Sequence, residues 1–322
     1  MTTINTVLGP CKPEDLGLTL MHEHLIVGFP GWYADTAAPP FRRGEVLKRC
    51  IDQMEELKAL GVRTLLDPCP ADGGRDAEFM AEVAQATGVH IICAAGLYKE
   101  DLGGAAYFKF RTPFADMASE MAETFTKEIT DGIGGSGIKA GILKVATQAN
   151  RVSPYEEMVL RAAARTAKAT GTRITTHTDS GTMGREQLDI FAAEGVNLKH
   201  VIVGHSCGCA DLRYHVDMLD RGCMLGFDQF GVDLLLPDRL RTASLIGLLG
   251  IGFEKQIFLS HDSVWYWRGR PLSGPAEIMQ KLQNWNPMHI FKNIIPALRE
   301  AGVPQGKIDT MLIENPRRFF SE

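Results

Sequence analysis

Residues 172–206 read TRITTHTDSGTMGREQLDIFAAEGVNLKHVIVGHS, and this stretch sets the architecture. TRITTHT and HVIVGHS are short β-rich runs that end in polar residues, as strands of a parallel sheet do. Between them, Arg185 to Glu194 carries apolar residues at helical spacing and stops at Gly195. Two strands joined through one helix make a βαβ unit. The same alternation extends both ways. LGLTLMH (16–22), VRTLLD (62–67), VHIICAAGL (89–97) and AGILKVAT (140–147) come before it, and CMLGFDQF (223–230) and QIFLSHD (256–262) after it. Further amphipathic stretches run from Glu45 to Leu60, Asp76 to Thr87 and Pro154 to Ala169.

About eight such units in 322 residues match an α/β fold, the (β/α)8 TIM barrel, as a single domain over residues 1–322. The rival is an open doubly wound sheet, which needs a glycine-rich phosphate turn after an early strand. No such turn is present: GIGGSG (132–137) precedes a strand and reads as a flexible loop. With 45% hydrophobic and 23% charged residues the chain can fill a large core, and its net charge of -5 gives no basic surplus for nucleic acid. A small-molecule substrate is the expected ligand. Neither a secretory leader nor a membrane span is legible, and seven scattered cysteines suit a reduced, cytoplasmic setting. Cys207 and Cys209 flank a glycine after His205, but a lone C-x-C reads as small buried or loop residues.

In such a barrel the catalytic groups sit at the C-terminal ends of the strands. His22 and His24 close the first strand one residue apart, so both face one way and can share an ion. Lys144 lies within the apolar run Gly141 to Ala146, where burial lowers a lysine pKa and the neutral amine can react with carbon dioxide. The resulting N6-carboxylated lysine has two anionic oxygens and can bridge two cations. His177, His205 and Asp262 complete a nitrogen and oxygen set suited to zinc first, then cobalt, manganese or iron, with a position open for water. Each residue alone has an ordinary reading: a packed histidine, an ion-paired lysine, an aspartate helix cap. Their recurrence at the ends of different strands favours a metal site.

LMHEHL, GILKVAT, TTHT, VGHS and LSHD, in this order and spacing, resemble the phosphotriesterase family of the amidohydrolase superfamily, its phosphotriesterase-like lactonases included. The likeness spans nearly the whole chain. It implies two divalent metal ions: His22, His24 and Asp262 on the more buried one, His177 and His205 on the outer one, carboxylated Lys144 and a hydroxide between them. It also implies that Asp262 takes the proton as that hydroxide attacks a lactone or apolar ester, or alternatively a phosphotriester, and that the protein is a homodimer. Tyr98, in AAGLYKEDL, matches a tyrosine that orients the nucleophile in lactonases. Gln229, in GFDQFG, departs from the pattern, standing where lactonases carry an arginine and phosphotriesterases a histidine. Gly208, in the stretch after His205, likewise replaces the aspartate of the phosphotriesterase proton relay. Asp228 has two readings, as the partner of a metal ligand or as a strand-end hydrogen-bonding residue.

The four tryptophans follow the first strand (Trp32) or the last (Trp265, Trp267 and Trp285). First and last strands are neighbours in a closed barrel, so these loops should meet over the metals as an aromatic wall with Phe29, Tyr33 and Tyr266. Trp32, Trp265, Trp267, Tyr98 and Gln229 are the expected substrate contacts, suited to an apolar portion. Arg268 and Arg270 offer charge to an anionic group. His90, His200, His215 and His289 lie away from the active rim and His261 faces the other side of its strand, so all five read as structural. A non-catalytic small-molecule-binding barrel, or a metal-free aldolase using Lys144 as a Schiff base, fits the ligand set less well.

Overall fold

The computed structural model describes residues 2–321. Eight parallel strands make a nearly closed barrel: β1 (Leu18–Leu20), β2 (Val62–Asp67), β3 (His90–Gly96), β4 (Ile142–Thr147), β5 (Ile174–Thr178), β6 (Val201–Val203), β7 (Met224–Phe227) and β8 (Ile257–Leu259). Each pairs with the next in sequence, so the order runs from β1 to β8 without a crossover. Helices α1 (Arg43–Ala59), α2 (Ala77–Thr87), α3 (Ala105–Arg111), α4 (Met117–Thr130), α5 (Pro154–Thr170) and α6 (Gly184–Ala193) lie between strands; α1, α2, α5 and α6 fall close to the amphipathic stretches of the sequence, and α3 and α4 have no counterpart among them. Local chemistry sets their ends. Asp76 accepts the Phe79 amide, Ser153 and Glu156 form a capping box, and Gly88 and Gly171 take left-handed conformations at two C-termini. Among the described residues no helix is long and apolar enough to cross a membrane.

Alternation along the strands sorts the side chains. Met21, Leu66, Ile92, Ala94, Ile142, Ile202, Met224 and Phe258 form an apolar plug inside the barrel, joined by Ile4, Leu16, Phe319 and Phe320. Their neighbours Leu65, Ile91, Leu143, Ile174, Val201 and Leu225 join the larger cluster beneath the helices. Each such buried aliphatic is worth roughly 1.5–3 kcal/mol. The polar residues gather above this plug, at the strands' C-terminal ends.

No ladder joins β1 to β8. The seam is closed just beyond their ends, where the His22 amide donates to Ser260 Oγ (3.1 Å), the Asp262 amide to the His22 carbonyl (3.0 Å) and the His24 amide to the Ser263 carbonyl (2.9 Å). A parallel pair, His24–Val27 with Val264–Trp267, continues it. Glu23, fully buried, clasps the seam. Its Oε1 accepts Ser260 Oγ and both the amide and Nδ1 of His261; its Oε2 accepts the amide and hydroxyl of Ser263. His261 Nε2 accepts the Ile290 amide, which assigns the ring proton to Nδ1 and gives this histidine a structural role. One expectation is corrected here. His22 and His24 do not close a continuous strand: β1 ends at Leu20, and His24 opens a second short strand after the break that turns Glu23 into the seam.

Candidate metal centre

Asp262 Oδ1 lies 3.1 Å from His24 Nε2 and 3.4 Å from His22 Nε2, and its Oδ2 3.7 Å from His205 Nε2. Lys144 Nζ is 3.1 Å from His22 Nε2. The ligand atoms of His22, His24 and Asp262 all fall within 4.8 Å of one another. His177 stands outside that tight group, its ring centroid 4.5 Å from that of His205 in an edge-on contact.

Backbone strain and missing side chains make this convergence possible. Ile202 points into the barrel, so simple alternation would turn His205 outward. A left-handed backbone at His205 (φ 58°) swings the imidazole back in, and Asp262 has the same conformation (φ 55°). Such residues cost about 1–2 kcal/mol each and mark functional positions. Two glycines give room. A Cβ on Gly96 would lie 1.8 Å from the Lys144 carbonyl oxygen, and one on Gly226 2.4 Å from Asp228 Oδ2.

Carboxylates hold the backs of the imidazoles. Asp228 resolves in favour of this role: its two oxygens lie 2.9 Å from His22 Nδ1 and 3.0 Å from His205 Nδ1, and it accepts the His205 amide at 2.8 Å. Asp67 Oδ1 lies 3.1 Å from His24 Nδ1, and its carboxylate also accepts the Leu25 and Cys69 amides. With Nδ1 engaged on all three rings, the Nε2 atoms are left to converge. On the fourth, His177 Nε2 is 2.6 Å from Asp179 Oδ1. Asp67, Asp179, Glu23 and the buried Cys69 beside His24 were not singled out from sequence. Asp67 carried a signal, since it ends VRTLLD at the same rim as the histidines, and Asp179 follows His177 by two positions.

Lys144 is 1% exposed, and its hydrogen-bond partners, His22 Nε2 and the Thr176 carbonyl, are uncharged. Burial pushes its pKa down to about 8, against the pull of Asp262 and Asp228. Burial, together with Lys144, pushes His22 down to about 3. Burial alone would raise Asp262, but His205, His22 and His24 outweigh it and hold the carboxyl well below the usual range. Against its burial, hydrogen bonds to Asp262 and Asp67 hold His24 well above the usual imidazole range, so this ring gives up a proton when it takes a cation. Imidazoles, an ionised carboxylate and a lysine brought to about 8 form a donor set that fits a metal site.

Above this set opens a cleft of about 110 Å³ whose lining includes Phe29, Tyr98, Trp267, Trp285 and Asp262. Asp72 fixes the Tyr98 loop by accepting the Tyr98 and Gly104 amides, and the Tyr98 hydroxyl stands 3.3 Å from His177 Nδ1. Gln229 Nε2 donates to Asp262 Oδ2 at 3.1 Å, so its amide is engaged with the carboxylate. The aromatic wall differs from the expected one. Trp265 is 1% exposed, drawn into the core where its indole donates to Ser263 Oγ of the Glu23 clasp. Trp32 lies off the cleft, packed on the Arg268 guanidinium (5.1 Å), and Tyr266 packs on Phe41. The arginines are occupied too: Arg268 pairs with Asp76 (2.9 Å) and Arg270 with Asp35 (2.7 Å). Away from the rim, His215 bonds the Ser206 carbonyl and His289 bonds Asp238. Among the described residues the seven cysteines are free thiols.

Residues 2–320 match the phosphotriesterase family. The chain belongs to that family. A phosphotriesterase homology protein of Mycobacterium tuberculosis is 36% identical over 330 residues, 99% of this chain and 98% of its own. The organophosphorus hydrolase from Deinococcus radiodurans superposes with a TM-score of 0.97 at 38% identity, covering 99% of this chain and 97% of that one. A mutant of a PTE-like lactonase from the same organism gives a TM-score of 0.96 at 38% identity, covering 99% and 100%. Phosphotriesterase-family membership implies a binuclear metal centre, which the histidine and aspartate clusters fit, and makes the chain a hydrolase acting on esters.

Proposed function

We propose that the chain hydrolyses lactones and other apolar carboxylic esters with the help of two divalent metal ions, zinc foremost. In this reading His22, His24 and Asp262 hold the more buried ion, His177 and His205 the outer one, and Lys144, carboxylated at Nζ, both. Bound there, the two ions would lower the pKa of a nearby water and polarise the ester oxygen. The observation that carries the reading is Lys144: a fully buried amine brought to about 8, with no anionic hydrogen-bond partner and facing His22 Nε2. A permanent ammonium there would repel cations, whereas a carboxylated amine would bind them.

The remaining work falls to the chain's own groups. Asp262, kept ionised by the imidazoles around it, accepts the nucleophile's proton, and Gln229 fixes its Oδ2 while doing so. Burial raises the Tyr98 pKa well above that of a free phenol, with Asp262 adding to the effect, so Tyr98 stays protonated and donates a hydrogen bond at the cleft. Phe29, Trp267 and Trp285 shield the site from water and pack on the apolar part of the substrate.

One observation favours an acyl centre over a phosphotriester. Gln229 and Gly208 offer no ionisable relay to carry a proton onward from Asp262. The homodimer reading rests on α3 and the turn after it, where Tyr107, Phe110 and Phe114 are 61%, 72% and 72% exposed, an apolar surface suited to a second copy. The test compares kcat/KM for a hydrophobic lactone, an aryl ester and an aryl dialkyl phosphate at identical metal loading. The acyl substrates should be turned over faster. A phosphate preferred by more than about tenfold, roughly 1.4 kcal/mol of transition-state discrimination, would overturn the acyl assignment.

A further inference from the structure

Three of the four rim histidines are held from behind at Nδ1 and present Nε2 to the centre. His177 is held the other way round. Its Nε2 lies 2.6 Å from Asp179 Oδ1, which leaves Nδ1, beside the Tyr98 hydroxyl, to face an ion. Asp179 is fixed in turn, because Lys99 Nζ lies 2.6 Å from its Oδ2. Lys99 is 6% exposed, reaches Asp101 at 3.5 Å, and follows Tyr98 directly in the chain. An ion pair this well shielded has more consequence than a solvated one. It ties the loop after β3 to the end of β5.

We propose that Asp179, held in place by Lys99, sets the affinity of the outer metal position through His177. The inference rests on the two-ion reading above. A carboxylate on the far nitrogen of an imidazole fixes its tautomer, orients the ring and raises its basicity toward a cation. Lys99 takes one oxygen of Asp179 and leaves the other for His177, so both residues are positioning residues that never touch substrate. The three other rings draw their carboxylates from Asp67 and Asp228, so a change at Asp179 is confined to one ion.

The experiment is a calorimetric titration of metal-stripped protein with cobalt(II), on wild type, Asp179→Ala, Asp179→Asn and Lys99→Met. Wild type should take up two ions per chain. Asp179→Ala should leave the first affinity unchanged and weaken the second about 10- to 100-fold. Asp179→Asn, which keeps a hydrogen-bond acceptor, should recover part of that loss, and Lys99→Met should weaken the second ion by a smaller factor. Unfolding temperatures of the metal-stripped variants, expected to match wild type within a few degrees, check that each folds. If both affinities of Asp179→Ala equal wild type, or both fall together, the proposal is overturned. An unchanged second affinity in Lys99→Met removes Lys99 from it. A wild type that takes up a single ion refutes the two-ion reading itself, a result distinct from the others.

Discussion

Lys144 should make the metal-free protein less stable than it need be. The side chain ordinarily titrates near 10.5, and burial brings this to about 8. A base whose pKa falls on folding destabilises the folded state by 2.303RT for every pH unit between the two values. At pH 7 the ammonium is charged in both states and the whole cost, about 3 kcal/mol, stands against the fold. Between pH 8 and 10.5 the folded lysine sheds its proton while the unfolded one keeps it, so stability rises with pH. Above 10.5 neither state carries the proton and the cost is gone. Lys144→Met keeps the length of the side chain and removes the charge; the lost bonds to His22 and the Thr176 carbonyl trim the gain by about 1 kcal/mol. At roughly 2 °C per kcal/mol for a chain of this size, the metal-stripped variant should melt several degrees above metal-stripped wild type at pH 7. Above pH 10.5 that advantage should vanish. With metal present the order should reverse, because the variant has lost the group that bridges the ions. Scanning calorimetry on chelator-treated protein at both pH values decides the matter. A variant no more stable than wild type at pH 7, or an advantage of the same size at both pH values, would refute the reasoning.

Two further substitutions probe the supports of the site. Asp228→Ala removes the carboxylate behind both His22 and His205, and metal titration should show both ions weakened, about 10- to 100-fold; an unchanged affinity would reduce Asp228 to a strand-end bond. Glu23→Ala strands the Ser260, His261 and Ser263 donors in a fully buried seam, and denaturant unfolding should register a loss of about 3–5 kcal/mol, whereas a loss under 1 kcal/mol would mean that the barrel closes without the clasp.

The readable parts of the molecule are those where one residue breaks a pattern. Lys144 stands out because it interrupts the apolar run of β4. His177, His205 and Asp262 stand out because each follows a β-rich run, and the barrel follows from how often such runs recur. Asp67 and Asp179 are short acids at a strand end or in a loop, a commonplace of any sequence. Their meaning depends on which imidazole lies opposite, which for Asp67 is 43 positions away and is fixed only by how the segment after β1 lies against the end of β2. The left-handed turn at His205 is equally silent, since the positive φ falls on the histidine itself and not on Gly204 beside it. Trp265 and Trp267 are two residues apart and chemically identical, yet one is core and the other lines the cleft. The choice lies in the indole bond to Ser263, which belongs to the Glu23 clasp and appears only when the seam closes.

The most direct test of the account measures metal content and ester turnover on the same samples of wild type and Lys144→Ala. Wild type should carry about two divalent ions per chain and lose its turnover on chelation. Lys144→Ala should lose metal and turnover together, and both should return in part when a short-chain carboxylate is added in place of the missing bridge. Full metal occupancy with normal turnover in Lys144→Ala would contradict the account.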